Sequence, residues 1–143
     1  MYGHFEIAKW LHKFNTNIDG KYEFAFGWSC QNGHFEIAKW LYQLGIDIHI
    51  DSEYAFRWTC RNGHIKIAKW LYQLGADIRA ECYCWNAFMV ACQYGHIEVA
   101  KWLYRLGVDI HIHDEYAFRL SCKNGHIEVR GSTIPEQTLV GNC

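Results

Sequence analysis

One pair of residues, Gly-His, returns along the chain at 3-4, 33-34, 63-64, 95-96 and 125-126, in steps of 30, 30, 32 and 30 residues. Each pair heads nearly the same phrase: GHFEIAKWL, GHFEIAKWLYQLGIDI, GHIKIAKWLYQLGADI, GHIEVAKWLYRLGVDI and GHIEV. A period this short and this regular leaves few architectures open, because about 30 residues make one supersecondary unit that cannot bury its own apolar face and must stack on copies of itself.

Within a unit the spacing predicts two helices. Ile67, Trp70, Leu71 and Leu74 stand at i, i+3, i+4 and i+7, as do Ile7, Trp10, Leu11 and Phe14, Ile37, Trp40, Leu41 and Leu44, and Val99, Trp102, Leu103 and Leu106. That is one apolar stripe along an amphipathic helix. Gly45, Gly75 and Gly107 follow the stripe where a left-handed stop is cheapest, and Asn15 takes that place in the first unit. On the far side, Glu36 with Lys39 and Glu98 with Lys101 are spaced for helical ion pairs. A shorter helix is expected before each Gly-His turn, over roughly 54-61 in the third unit. The fold class is therefore all-α, a helix-turn-helix solenoid with short connections through Asp47-Ile48 and Asp77-Ile78. The units run 1-20 (partial), 21-50, 51-82, 83-112 and 113-130 (partial), and 131-143 is a non-repeat tail. The last second-helix is expected to stop near Arg130, because Gly131 and Pro135 interrupt it and Ser132, Thr133 and Glu136 replace the stripe.

The run from Ala55 to Asp77 resembles the ankyrin repeat in Gly63, His64, Ile65, Ile67, Ala68, Lys69, Trp70, Leu71, Gly75, Ala76 and Asp77. With its AKWLY wording and short period it is similar to the ankyrin repeat proteins of giant DNA viruses of amoebae. The usual Thr-Pro-Leu-His opening is replaced by Tyr54-Ala55-Phe56-Arg57, and the connection is about three residues shorter than the ~33-residue family period, so a trimmed loop is expected instead of a protruding hairpin. A tetratricopeptide array is the competing solenoid, and the Gly-His and Gly-x-Asp anchors fit it less well.

Charge and motifs narrow the function. A formal net charge of -1, with scattered Lys and Arg, argues against a nucleic-acid or anionic-membrane partner. No apolar run approaches the ~20 residues of a membrane span, and the first segment carries Glu6 and Lys9, unlike a signal peptide, so an intracellular, cytoplasmic protein is the default. Motifs for zinc proteases, P-loops, nucleophile elbows and dinucleotide folds do not occur, so catalysis and cofactors are not expected. Cys30, Cys60, Cys92 and Cys122 recur at one register position and read as small core residues, since sulfurs ~10 Å apart cannot share a zinc ion with bonds near ~2.3 Å. Cys82 and Cys84, with His111 and His113, form a weaker metal-binding alternative, and Cys143 has no reading. The Gly-His histidines are expected to bond backbone across the turn. Trp10, Trp40, Trp70 and Trp102 should form a buried column, each contributing up to ~5 kcal/mol by burying ~200 Å².

The resemblance implies binding of a protein partner along the concave face, made by the connections and the exposed side of the first helices. Carried over by position, the candidate contacts are Gln31, Asn32, His49, Asp51, Glu53, Arg61, Asn62, Arg79, Glu81, Trp85, Gln93, Tyr94, His111, His113, Asp114 and Lys123. The expected form is a monomeric, non-catalytic interaction module. The alternative is a truncated or frameshifted fragment of a longer repeat protein without independent activity.

Overall fold

The computed structural model describes residues 3–13, 21–79, 86–108 and 114–125. Every stripe within that range becomes a helix. In chain order the elements are α1 (Gly3–His12), α2 (Lys21–Gln31), α3 (Phe35–Gln43), α4 (Ile50–Arg61), α5 (Ile65–Gln73), α6 (Ala87–Gln93), α7 (Ile97–Arg105) and α8 (Asp114–Lys123). Helices α2 and α3, α4 and α5, and α6 and α7 pack as pairs. The first members stack in the order α2, α4, α6, α8, and among the second members α5 packs on α7. No strand occurs among the described residues. The described helices form the all-α helix-turn-helix solenoid expected, and the described residues 44–49 and 74–79 that follow α3 and α5 are turns.

The turns explain why Gly-His recurs. Gly63 adopts φ +76°, its N–H donates to Cys60 carbonyl at 3.3 Å, and His64 N–H reaches back to Thr59 carbonyl at 3.1 Å. These paired bonds satisfy the carbonyls that end α4. The same pair closes α2, where His34 N–H bonds Ser29 carbonyl at 2.8 Å, and α6, where His96 N–H bonds Ala91 carbonyl at 2.9 Å. The histidine ring then serves the next interface down. Its Nε2–H in His64 donates to the Gln31 carbonyl of the preceding unit at 3.0 Å, and Asn62 Nδ2 donates to the same oxygen at 2.7 Å. To do this the ring lies directly on Gly33, where an added Cβ would stand 2.7 Å from His64 Cε1. Gly33 is therefore needed twice, for its left-handed backbone and for the absence of a side chain.

The core runs between the helix layers. Phe56, Cys60, Leu71, Ala68 and Ile67 are buried in the third unit, and Phe26, Cys30, Leu41 and Ala38 in the second. Cys30, Cys60 and Cys92 are buried as expected for small core residues, while Cys122 on α8 is exposed.

Three expectations need correction. The tryptophan column is half-buried: Trp70 meets Phe35 and Tyr42 of the preceding unit edge-on at 5.4 and 5.7 Å, and Trp102 meets Tyr72 at 5.8 Å. Each ring tiles onto the unit before it, so Trp10, with no described helix before α1, is 58% exposed beside exposed Ile7 and Leu11. The Glu36–Lys39 and Glu98–Lys101 pairs are not formed among the described residues. Lys39 Nζ instead lies 4.9 Å from the Phe35 ring, and the equivalent Glu6–Lys9 pair closes at 3.4 Å. Finally, α4 begins at Ile50, four residues earlier than expected, with a left-handed residue, Glu53 (φ 63°), separating its first turn from 54–61.

Candidate interaction face

On the first helices, two positions beyond a buried residue lie about 200° around the axis and face away from the core. In α2 buried Phe26 is followed in this way by Trp28, and in α4 buried Phe56 by Trp58. Trp28 is 61% exposed and Phe24, one turn earlier, 70% exposed. Tyr54 and Trp58 stand at the same two positions of α4, their rings 5.6 Å apart. The exposed sides of α2 and α4 are thus lined with large aromatic rings, while in α6 the place of Trp28 and Trp58 is taken by buried Val90.

Arg61 binds two units together on this face. Its guanidinium carbon lies 4.1 Å from the centre of the Trp58 ring and 4.5 Å from that of Tyr94, and one of its terminal nitrogens donates to the Tyr94 hydroxyl at 2.6 Å. Stacking of this kind fixes a long, entropically costly side chain in one place and leaves further N–H groups directed along the planar fork. Around it Arg57, Trp58, Val90, Gln93 and Tyr94 line a groove of about 300 Å³. A second recess, of about 260 Å³, lies between α2 and α4.

The residues anticipated as partner contacts have unequal fates. Arg61, Gln93, Tyr94 and Lys123 line or adjoin the first-helix face, with Lys123 and Tyr94 exposed. Asn32 is exposed and its amide donates to the Trp28 carbonyl at 2.8 Å. Gln31 and Asn62 are half-buried, and both are engaged between units, as is Gln93, whose carbonyl accepts from Asn124 at 2.8 Å. Glu53 is corrected: the residue is buried, 4% exposed, and its carboxylate is turned in to His49 Nδ1 at 2.5 Å, so it offers a partner little surface. His49 is exposed, and its pKa is raised by that bond first and then by the charges of Glu53, Asp47 and Asp77. Arg79 is exposed, with its N–H on Asp77 Oδ1 at 2.8 Å. Asp51 and Asp114 lie in the first turns of α4 and α8, and their side chains are outside the described residues. Glu81, Trp85, His111 and His113 fall outside the described residues altogether, as do Cys82, Cys84 and Cys143.

Phe24, Trp28, Tyr54 and Trp58 were not anticipated. The signal for Trp28 and Trp58 in the sequence is helical arithmetic, which sets them opposite the buried Phe26 and Phe56. Among the described residues no cluster of three or more His, Cys, Asp or Glu side chains could hold a metal, and no helix is long and apolar enough to cross a membrane.

No curated protein matches the chain. A family model described as ankyrin repeats (3 copies) matches residues 50–114, the stretch from the start of α4 through α7 to the first residue of α8, so the helix-turn-helix units over that stretch are similar to ankyrin repeats.

Proposed function

We propose that the chain is a non-catalytic protein-interaction module whose partner lies along the concave face, on the exposed sides of α2, α4, α6 and α8. The observation that carries this reading is the row of exposed or half-exposed aromatic rings, Phe24, Trp28, Tyr54, Trp58 and Tyr94, with Arg61 held between two of them. Large rings and arginine are the residues from which protein interfaces draw most of their binding energy, because they bury much area for few rotatable bonds. Isolated apolar side chains at a surface are ordinary, but a run of five across adjoining helices is a patch. Ankyrin repeats generally mediate protein–protein contact, which agrees with this use of the layer.

The formal net charge of -1 supports a protein partner over a nucleic acid, since phosphate binding draws on a concentrated positive field. The module acts as a monomer in this reading.

Crosslinking and affinity capture from the cell that makes the protein should recover a saturable partner. Reversing the charges at Arg61 and Lys123 together should weaken that binding at least about tenfold, a change of about 1.4 kcal/mol. Binding indifferent to both reversals, or no saturable partner, would refute the proposal.

A further inference from the structure

The units differ sharply at one position of the first helix. Gly27 stands where the following units carry Arg57, Met89 and Arg119. With no side chain there, the Tyr54 ring comes down onto the α2 backbone, so that a Cβ on Gly27 would meet Tyr54 Cε1 at 3.1 Å. The consequence is the recess of about 260 Å³ between α2 and α4. Phe24, Trp28 and Tyr54 line it as rings, buried Ile48 contributes an apolar contact, and Glu23 and Asp47 contribute carboxylates.

Rings and acids together select the charge of an occupant. The faces of aromatic rings are negative, so they attract a cation as carboxylates do, and both repel an anion. An apolar side chain would gain the rings but would also take water from two carboxylates without replacing it.

The next unit shows which cation suits such a ring. Trp58 is the equivalent of Trp28, and it carries the guanidinium of Arg61 on its face at 4.1 Å. In α2 the position of Arg61 is taken by Gln31, and among the described residues no cation lies over Trp28.

We propose that this recess receives the guanidinium of an arginine side chain from a protein partner, stacked on Trp28 with Glu23 and Asp47 accepting its N–H groups. The proposal rests on the reading of this face as a protein-binding surface and specifies one anchor on it. Asp47 Oδ1 already accepts His49 N–H at 2.9 Å, so its second oxygen and Glu23 serve the ligand. Arginine is selected over lysine because a planar guanidinium stacks and donates sideways at once, whereas an ammonium must choose between ring and carboxylates for its hydration.

The test uses the full chain labelled with nitrogen-15, the Trp28 indole N–H signal being assigned with Trp28→Phe. Blocked pentapeptides Gly-Ser-X-Ser-Gly are titrated in, with X as arginine, lysine, citrulline or glutamate. The arginine peptide should shift the Trp28 signal saturably, the lysine peptide should bind about tenfold more weakly, and the neutral and acidic peptides should leave the signal in place. Glu23→Gln should weaken the arginine peptide about tenfold while the circular dichroism melt is unchanged, since Glu23 is exposed. Equal shifts from citrulline or lysine, or no effect of Glu23→Gln, overturn the assignment. If partner capture fails while the arginine peptide binds, the module reading falls and the arginine site stands. If a captured partner binds Trp28→Ala as tightly as the unaltered chain, the arginine site falls and the module reading stands.

Discussion

The close approach of the His64 ring to Gly33 is open to a direct test. Gly33 has φ +77° and carries the His64 ring so near that a Cβ would lie 2.7 Å from Cε1 and 2.9 Å from Nδ1. Gly33→Ala therefore meets two penalties. A left-handed alanine costs about 1–2 kcal/mol. Moving the ring costs its bond from Nε2 to the Gln31 carbonyl, about 1 kcal/mol for a part-buried pair, with some lost packing besides. The expected loss is about 3 kcal/mol. Gly45→Ala is the internal control: φ is +92° and nothing lies within 4 Å of the added Cβ, so only the backbone penalty of about 1–2 kcal/mol applies. His64→Ala removes the obstacle together with the bond and should cost about 1–2 kcal/mol alone. The double variant Gly33→Ala, His64→Ala should then cost about 3 kcal/mol, short of the sum of its parts by about 1–2 kcal/mol. Urea unfolding followed by far-ultraviolet circular dichroism measures all four. Equal losses for Gly33→Ala and Gly45→Ala, or strict additivity in the cycle, would refute the account of why Gly-His recurs.

The same residue type should cost different amounts along the stack: Leu71→Ala, in a fully buried site, should lose about 2–5 kcal/mol, whereas Leu11→Ala, at an equivalent position 53% exposed, should lose less than about 1 kcal/mol in the same urea assay. Alkylation of the native chain at pH 8, mapped by mass spectrometry, should modify exposed Cys122 well before Cys30, Cys60 and Cys92, because burial pushes the thiols of Cys30 and Cys92 up to about 12 and that of Cys60 higher still. His49 should titrate above the usual histidine range in an NMR pH series, held charged mainly by Glu53. Its folded pKa being raised, the associated stability is present below the unfolded value near 6.5 and fades as pH climbs through the folded one, so His49→Gln should flatten the stability profile in that window.

Periodicity made the architecture legible because the features that repeat are those that packing demands. Leu41, Leu71 and Leu103 are buried at one register position, as are Cys30, Cys60 and Cys92 at another, and each was marked by recurrence before any contact was known. Partial burial of the tryptophans was less legible: a helical stripe tells which side a ring faces, but Trp70 owes its cover to Phe35 and Tyr42 of another unit, and the stripe says nothing about how completely those rings enclose it. Glu53 was misplaced for a similar reason. An acidic residue in a connection reads as solvated, and only the left-handed backbone at that position turns the carboxylate inward to His49.

Repetition also defines where specificity can reside. A position filled alike in most units serves the stack, and Asn62 illustrates this: its amide holds the Gln31 carbonyl just as Asn124 holds that of Gln93, while Tyr94 takes the place in the unit between. Its usefulness to a partner is limited by that commitment, since a ligand taking the amide would leave a half-buried carbonyl with one donor fewer. Positions that change between units can serve the stack in one unit and the surface in another, as Arg61 does in bridging to Tyr94. Gly27, Arg57, Met89 and Arg119 share one register place but open a recess in one unit and put a long side chain in the others. Gln31 against Arg61 decides whether the neighbouring indole, Trp28 or Trp58, is covered by a guanidinium of its own chain. Two adjacent units with the same core thus present opposite charge preferences, acids and open rings at α2 and a stacked arginine at α4. A partner that fits both must carry a cation and an acceptor spaced about one repeat apart, ~10 Å, which is a far more selective requirement than either recess makes alone.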